Sequence, residues 1–312
     1  MKLSLHYVAG LYDGDGSFMI VLDKHPTVLS GYQIQTAVVL GLATYDSTVF
    51  SDIVETFPDL KFTTFVGRKG TSFLRLRDKE DVYKFLGIIK PYLRVFSNVR
   101  RAEIMYEVVK FILEHKHGMH YKSDVHFDYL RDLIAKMRMY SKRSVHMKRN
   151  LEVVKDVDWL RDEGQKYVPE SFDTEYVAGL FDSEGYVGLI NRKHPKALLG
   201  FQVYPIVNIN LAIYDSSVLL KLKEMFSRFN PQLKFREQNN TALFQIVGNS
   251  NVKQFLATLC PYLKLPTMKK RVEIILEAID FMERGSHKTE NGKLKLLEYV
   301  NELKPLAKRK VY

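Results

Sequence analysis

Cysteine is nearly absent. Cys260, alone among 312 residues, has no partner for an internal disulfide, which excludes a multi-cysteine zinc finger and fits a reducing interior. Long apolar runs are missing too: none approaches the roughly 20 residues that a membrane helix needs, so no membrane partner is expected. Met1 to Gly10 is neither basic-then-apolar nor followed by a small-residue cleavage site. The expected location is therefore intracellular, mitochondrial or chloroplast if an organelle encodes the chain; the sequence does not name the compartment. The chain also lacks the Cys or Ser start and the His-Asn end of a self-splicing insert, which argues against an intein. Acid is the scarcer charge, with 36 Asp and Glu against 47 Lys and Arg and a formal net charge of +11. That excess points to a polyanionic partner, nucleic acid before membrane.

What the chain does contain is a large internal repeat. "YVAGLYDGDGSF" from Tyr7 returns as "YVAGLFDSEGYV" from Tyr176. The same register lays His25-Pro26 on His194-Pro195, Gly31 on Gly200, Gln33 on Gln202, and "LATYDSTV" on "LAIYDSSV". One residue later in register, Thr71 meets Thr241, "PYL" from Pro91 meets "PYL" from Pro261, and Glu103-Ile104 meets Glu273-Ile274. A unit of half the chain is too long for a solenoid repeat and reads as a duplicated domain.

Periodicity within the unit changes in a fixed order. Leu5, Val8, Ala9, Leu11 and Tyr12 sit at helical spacing, with Gly16 as a left-handed stop. Extended patterns cover 17–23 and 32–43. "YDSTVFSDIVETF" predicts a helix with Asp46 or Ser47 as N-cap. "KFTTFVGRKGTSFLRLR" predicts a hairpin turning near Gly67 to Gly70, and helices follow at 79–89 and 97–116. The expectation is an α+β chain of two pseudo-symmetric α-β-β-α-β-β-α domains, 1–139 and 173–312, joined by a basic, Pro-containing linker at 140–172.

The acids that end each motif helix pose a physical problem. A helix C-terminus carries partial negative charge, so Asp13, Asp15, Asp182 and Glu184 sit where a carboxylate is disfavoured. If the small residues Ala9, Gly10, Ala178 and Gly179 let the two helices pack closely, their terminal acids meet. Carboxylates sharing a site need a cation, and a few hard oxygen ligands suit Mg²⁺. A single copy would read as an ordinary helix stop; two copies of an acid before glycine after a small-residue helix point to function.

Val8 to Gly16 and Val177 to Gly185 resemble the signature of the LAGLIDADG homing endonucleases, and the duplication resembles that family's single-chain, two-repeat members. The resemblance implies a monomeric, Mg²⁺-dependent enzyme, with Mn²⁺ as a substitute, that cuts both strands of a DNA site. It implies that Asp15 and Glu184 bind metal and carry cleavage, that Gly14 and Ser183 lend backbone carbonyls, and that Asp13 and Asp182 accept local backbone hydrogen bonds. An intron maturase acting on intron RNA, or a non-cleaving DNA-binding regulator, are the alternatives. This chain departs from the family where a polar residue is expected, at Thr44 and Ile213, and where a lysine is expected, at Phe96 and Pro266; Arg94, Lys264 and Lys193 are the nearby substitutes.

Each antiparallel sheet is expected to form a DNA-binding saddle, since a β-ribbon enters the major groove and alternate side chains share a face. The outward residues expected to touch DNA are Gln35, Val39, Lys61, Arg75 and Arg77 in the first half. In the second they are Arg192, Tyr204, Asn208, Asn210, Lys234, Arg236 and Gln245. Two such sheets span about two helical turns of duplex, on the order of 20 base pairs. The outward rows differ between halves, so the target is expected to be asymmetric. "EHKHGMH" with His115, His117 and His120, the basic "KRSVHMKR" at 142–149 and the terminal "KRKVY" read as solvated segments.

Overall fold

The computed structural model describes residues 1–24, 32–115, 124–140, 157–195 and 200–306. The first repeat opens on α1 (Leu5–Asp15), capped by Ser4, whose Oγ accepts the Tyr7 N–H at 3.1 Å. Strands β1 (Gly16–Lys24) and β2 (Tyr32–Ala43) follow, then helix α2 (Val49–Thr56), then β3 (Thr63–Val66) and β4 (Thr71–Leu76). Helices α3 (Lys79–Ile89), α4 (Phe96–Glu114) and α5 (Asp124–Met139) complete it. After α6 (Val157–Lys166), the second repeat runs α7 (Thr174–Glu184), β5 (Gly185–Lys193), β6 (Phe201–Ala212), α8 (Ser216–Met225), β7 (Gln232–Arg236), β8 (Thr241–Val247), α9 (Asn249–Leu259), α10 (Pro266–Glu283) and α11 (Glu290–Leu303). The two sheets have the same antiparallel order, β1-β2-β4-β3 and β5-β6-β8-β7. The α-β-β-α-β-β-α order thus holds twice, with α4 and α10 as expected; α5 and α11 are additional.

Two local expectations are corrected. Gly16 is extended, at φ −75° and ψ 155°, rather than left-handed. Here β1 leaves the helix without a turn, and a Cβ on Gly16 would lie 2.3 Å from the Tyr12 carbonyl oxygen. Close approach, not a positive φ, requires glycine. Asp46 and Ser47 do not cap α2 either: Thr44–Asp46 form a 3-10 turn, and Thr48 stands at the cap without a side-chain bond.

Helices α1 and α7 are buried from Tyr7 to Gly14 and from Tyr176 to Ser183. A helix apolar on every side belongs at a centre, and one core joins α1, α7 and residues of both sheets. The alternation along β2 is clean: Ile34, Thr36, Val38, Leu40 and Leu42 are buried, while Gln35, Ala37, Val39 and Gly41 face out. Within the linker, α6 is docked rather than free. Leu160 is buried with Phe96 of the first repeat and Tyr214 of the second, and a Cβ on Gly164 would meet the Tyr214 carbonyl oxygen at 1.9 Å. No helix among the described residues is long and apolar enough to cross a membrane.

Candidate active site and nucleic-acid surface

The site begins where α1 crosses α7. A Cβ on Gly10 would lie 2.1 Å from the Tyr176 carbonyl oxygen, and one on Gly179 would lie 2.1 Å from that of Tyr7. The helices therefore touch through backbone, as the small residues predict. This brings tyrosine of each helix to the first acid of the other. Tyr7 donates to Asp182 Oδ2 at 2.6 Å, and Tyr176 donates to Asp13 Oδ2 at 2.7 Å.

Asp13 Oδ2 also accepts the N–H groups of Arg94 and Val95 at 2.7 and 3.0 Å, and Asp182 Oδ2 those of Lys264 and Leu265 at 2.7 and 3.2 Å. The expected local backbone bonds are corrected: these donors come from segments about eighty residues downstream. They answer the unfavourable placement of a carboxylate at a helix C-terminus, because several donors replace the lost water. Burial pushes the Asp13 carboxyl up to about 6, and the bonds from Arg94, Tyr176, Val95 and Asn98 oppose that rise. Asn98 is one-sided: its amide donates to the Asp13 carbonyl at 2.9 Å, and Met268 occupies the matching place in the second repeat.

The second acids, Asp15 and Glu184, are half-buried at adjoining helix ends. A Cβ on Gly14 would come within 1.9 Å of Ser183 Oγ and 3.0 Å of Glu184 Cγ, so these ends are in contact. The Ser183 hydroxyl turns back into its own helix, donating toward the Gly179 and Leu180 carbonyls at 3.1 and 3.0 Å. No group of three or more His, Cys, Asp or Glu side chains among the described residues is placed to hold a metal. Two carboxylates with backbone carbonyls beside them nevertheless suit a hard ion that keeps water and takes phosphate oxygens as its remaining ligands. They do not suit a closed zinc site.

The sheet faces carry the other expected residues. In the first repeat Val39 pairs with Arg75 and Gln35 with Val21. The Arg75 guanidinium lies 4.6 Å from the Phe65 ring centre, and Phe65 stacks on Phe73 at 5.0 Å. Met19, Val21 and Phe65 are exposed here, which leaves this face largely apolar. Arg77 is exposed just past β4. Lys61 is exposed before β3, not within the hairpin, with its N–H bound to Asp81 Oδ2 at 3.1 Å.

In the second repeat Arg192 pairs with Gln202, Tyr204 with Ile190, Asn208 with both Tyr186 and Gln245, and Asn210 with Leu243. Lys234 Nζ donates to Gln245 Oε1 at 2.7 Å, and Gln245 Nε2 donates to Asn208 Oδ1 at 3.0 Å. A polar ladder therefore crosses three strands. Arg236 is exposed at the end of β7, while Ile206, in the same outward row, is covered.

The model of the LAGLIDADG endonuclease family matches residues 8–98 and 177–276, both acid-bearing helices included. The chain belongs to the LAGLIDADG endonuclease family. Among solved structures it is similar to the LAGLIDADG meganuclease I-CpaMI bound to uncleaved DNA, at 15% identity and a TM-score of 0.76, over 96% of this chain and 99% of that one. I-SmaMI, bound to an uncleaved DNA target in the presence of calcium ions, gives 15% identity and a TM-score of 0.77 over 97% and 99%. I-LtrWI, bound to target DNA, gives 20% and 0.73 over 96% of each chain. At these identities the likeness carries the fold. No curated protein matches the chain in sequence.

Of the substitute basic residues around the LAGLIDADG helices, Arg94 is committed elsewhere and Lys193 stands far along its strand. Arg94 is buried and donates to the Pro91 and Leu93 carbonyls at 2.6 and 2.9 Å, with Glu170 at 3.6 Å, so it anchors the chain entering α7. Lys193 ends β5, about 25 Å along the strand from Gly185. Ile213 is buried, and Thr44 Oγ1 meets Ser72 Oγ at 3.2 Å.

Two unforeseen arginines instead hold the strands that leave the acids. Arg101 on α4 donates from Nη2 to the Phe18 carbonyl at 2.6 Å, and it lines an open cavity of about 600 Å³ with Asp15, Asn98 and Arg138. Arg271 on α10 donates from Nε and Nη2 to the Val187 carbonyl at 3.1 and 2.5 Å and lies 4.7 Å from the Tyr186 ring centre. The signal for them was present, since Arg101 and Arg271 coincide in the register that pairs Glu103 with Glu273. Of the histidine cluster, His115 is described, with Nδ1 at 2.7 Å from the Phe111 carbonyl oxygen. His117, His120, residues 142–149, the "KRKVY" end and His25-Pro26 lie outside the described residues.

Proposed function

We propose that the chain is a monomeric, site-specific DNA endonuclease that hydrolyses one phosphodiester in each strand of an asymmetric duplex target, with divalent metal held by Asp15 and Glu184. The contact between the two helix ends at Gly14 and Ser183 carries this reading, because it brings one acid from each repeat to a common centre. The backbone carbonyls of Gly14 and Ser183 complete the donor set. Bound there, Mg²⁺, or Mn²⁺ in its place, would supply Lewis acidity toward phosphate and an acidified water. The protein's own part is to hold both carboxylates beneath the two sheets while Arg101 and Arg271 fix the chain three residues beyond each acid. Glu184 is one methylene longer than Asp15, and Met268 stands in the second repeat where the first has Asn98, so the two strands should be cut at unequal rates.

On the sheets, Gln35, Asn208, Asn210 and Gln245 are the side chains suited to base edges, with Val39 and Tyr204 as apolar and aromatic neighbours. Lys61, Arg75, Arg77, Arg192, Lys234 and Arg236 suit phosphates or guanine. The apolar face of the first repeat favours thymine methyls and shape. Because Gln245 links Lys234 to Asn208, Gln245→Ala is expected to relax sequence preference at the bases beneath it by about 1–3 kcal/mol with the melting temperature unchanged. A cleavage profile over single-base target variants checks this; an unchanged profile removes Gln245 from the reading surface.

The reading as a whole is tested by incubating purified protein with a randomised duplex library and Mg²⁺, then sequencing the ends. A defined double-strand cut is expected, and affinity for the recovered site should fall by about 10³-fold or more between 50 and 200 mM salt as phosphate contacts release counterions. Absence of any defined cut with Mg²⁺ or Mn²⁺, together with stimulated RNA splicing, would replace the endonuclease with the maturase.

A further inference from the structure

The shared run "YDS" has no part in the acid pair or the sheet faces, yet its aspartates are among the most buried charged groups of the molecule. Asp46 is 2% exposed and Asp215 fully buried, each at the end of a 3-10 turn, Thr44–Asp46 or Ile213–Asp215. Neither carboxylate caps the helix that follows it. Each crosses to the other repeat. Asp215 Oδ1 accepts the Ser97 N–H at 2.8 Å and Oδ2 the Ser97 hydroxyl at 2.9 Å; Asp46 Oδ1 accepts the Thr267 N–H at 3.0 Å.

Ser97 and Thr267 are the second residues of α4 and α10, where N–H groups lack intrahelical partners and a carboxylate is favoured by the helix dipole. One turn further along these helices stand Arg101 and Arg271. Their guanidinium groups hold the carbonyls of Phe18 and Val187, each three residues past the acid of its own repeat. Burial lowers the Arg101 pKa from its ordinary value, and the nearby Tyr214 and Asp215 oppose that fall. A continuous path thus runs from the turn of one repeat, through a helix start and an arginine, to the backbone beside the other repeat's acid.

We propose that Asp46 and Asp215 are positioning residues that set the geometry of each acid-bearing end from across the pseudo-twofold axis, Asp215 for the Asp15 end and Asp46 for the Glu184 end. The inference rests on the reading of the chain as a two-strand endonuclease. It is tested with the full chain and its recovered target, carrying a different fluorophore on each strand, under single-turnover conditions. Asp215→Ala and Asp46→Ala should shift the ratio of the two strand-cleavage rates in opposite directions by about 10-fold, a displacement well under 1 Å at each centre, with target affinity little changed.

Ser97→Ala loses the hydroxyl bond alone and should keep the fold; it should shift the ratio in the same direction as Asp215→Ala, by about 3-fold, as expected for one charge-assisted hydrogen bond only partly felt at the centre. Asp215→Asn, which retains an acceptor for the Ser97 N–H, should restore most of the ratio. Equal slowing of both strands by the two alanine variants, or an unmoved ratio in Ser97→Ala, overturns the proposal while leaving the endonuclease in place. An unvaried chain that cuts neither strand removes the endonuclease reading and this inference with it.

Discussion

Asp15→Asn and Glu184→Gln are each expected to lower double-strand cleavage by more than about 100-fold, the upper range for loss of a mere outer-shell partner of a metal, while specific DNA binding persists. The reason is the division of labour between the paired acids. Asp13 and Asp182 are buried and committed to backbone N–H groups and a tyrosine of the opposite helix. Asp15 and Glu184 sit half-buried one residue after the Gly14–Ser183 contact, where the proposed ion would be held. Amide replacements keep shape and volume but remove the charge a divalent cation needs, so the sheets should still engage the target. Single-turnover cleavage and equilibrium anisotropy on the same duplex separate the two effects. Wild-type rates in either variant would exclude that acid as a ligand.

The second large effect is expected at the crossing. Gly10→Ala or Gly179→Ala puts a methyl group 2.1 Å from a carbonyl oxygen and within 2.9 Å of a backbone nitrogen of the facing helix. Both obstacles are backbone, so no side chain can turn away and the helices must part. Overpacking of this kind costs about 1–3 kcal/mol, and loosening the Tyr7–Asp182 and Tyr176–Asp13 bonds adds about 1.5–3 kcal/mol for each hydrogen bond to a charged group that is lost. A melting temperature lower by roughly 10 °C follows for a chain of this size. Cleavage should fail even below the new midpoint, because the acids ride on the same helices. Calorimetry beside a cleavage assay at low temperature checks both parts. A Gly10→Ala protein that melts and cuts like the unvaried chain would mean that the helices are not held by backbone contact.

The duplication, the helix and strand order and the outward row of β2 were all legible from residue order. Each depends on local spacing: 3.6 residues per turn, alternation along a strand, or an identity repeated at a constant register. Gly10 and Gly179 were legible as a packing pair for the same reason, since two small-residue helices ending in acids admit few other arrangements.

Bonds that close over long stretches of chain were not. The partners of Asp13 lie at Arg94 and Val95, those of Asp46 and Asp215 at Thr267 and Ser97, and the arginines that hold the Phe18 and Val187 carbonyls come from α4 and α10. Asp46 looked like a helix cap because Asp before a helix usually is one; a stronger claim on it, the unpaired N–H of a helix start in the other repeat, appears only after α1 and α7 have packed. Gly16 looked like a left-handed stop until the strand was seen to leave the helix directly. Sequence by itself determined two copies of one unit and the acids they deliver. Tertiary structure alone decided which donors and cations surround those acids, because burial converts every polar group near the crossing into one that must find a partner, wherever in the chain that partner lies.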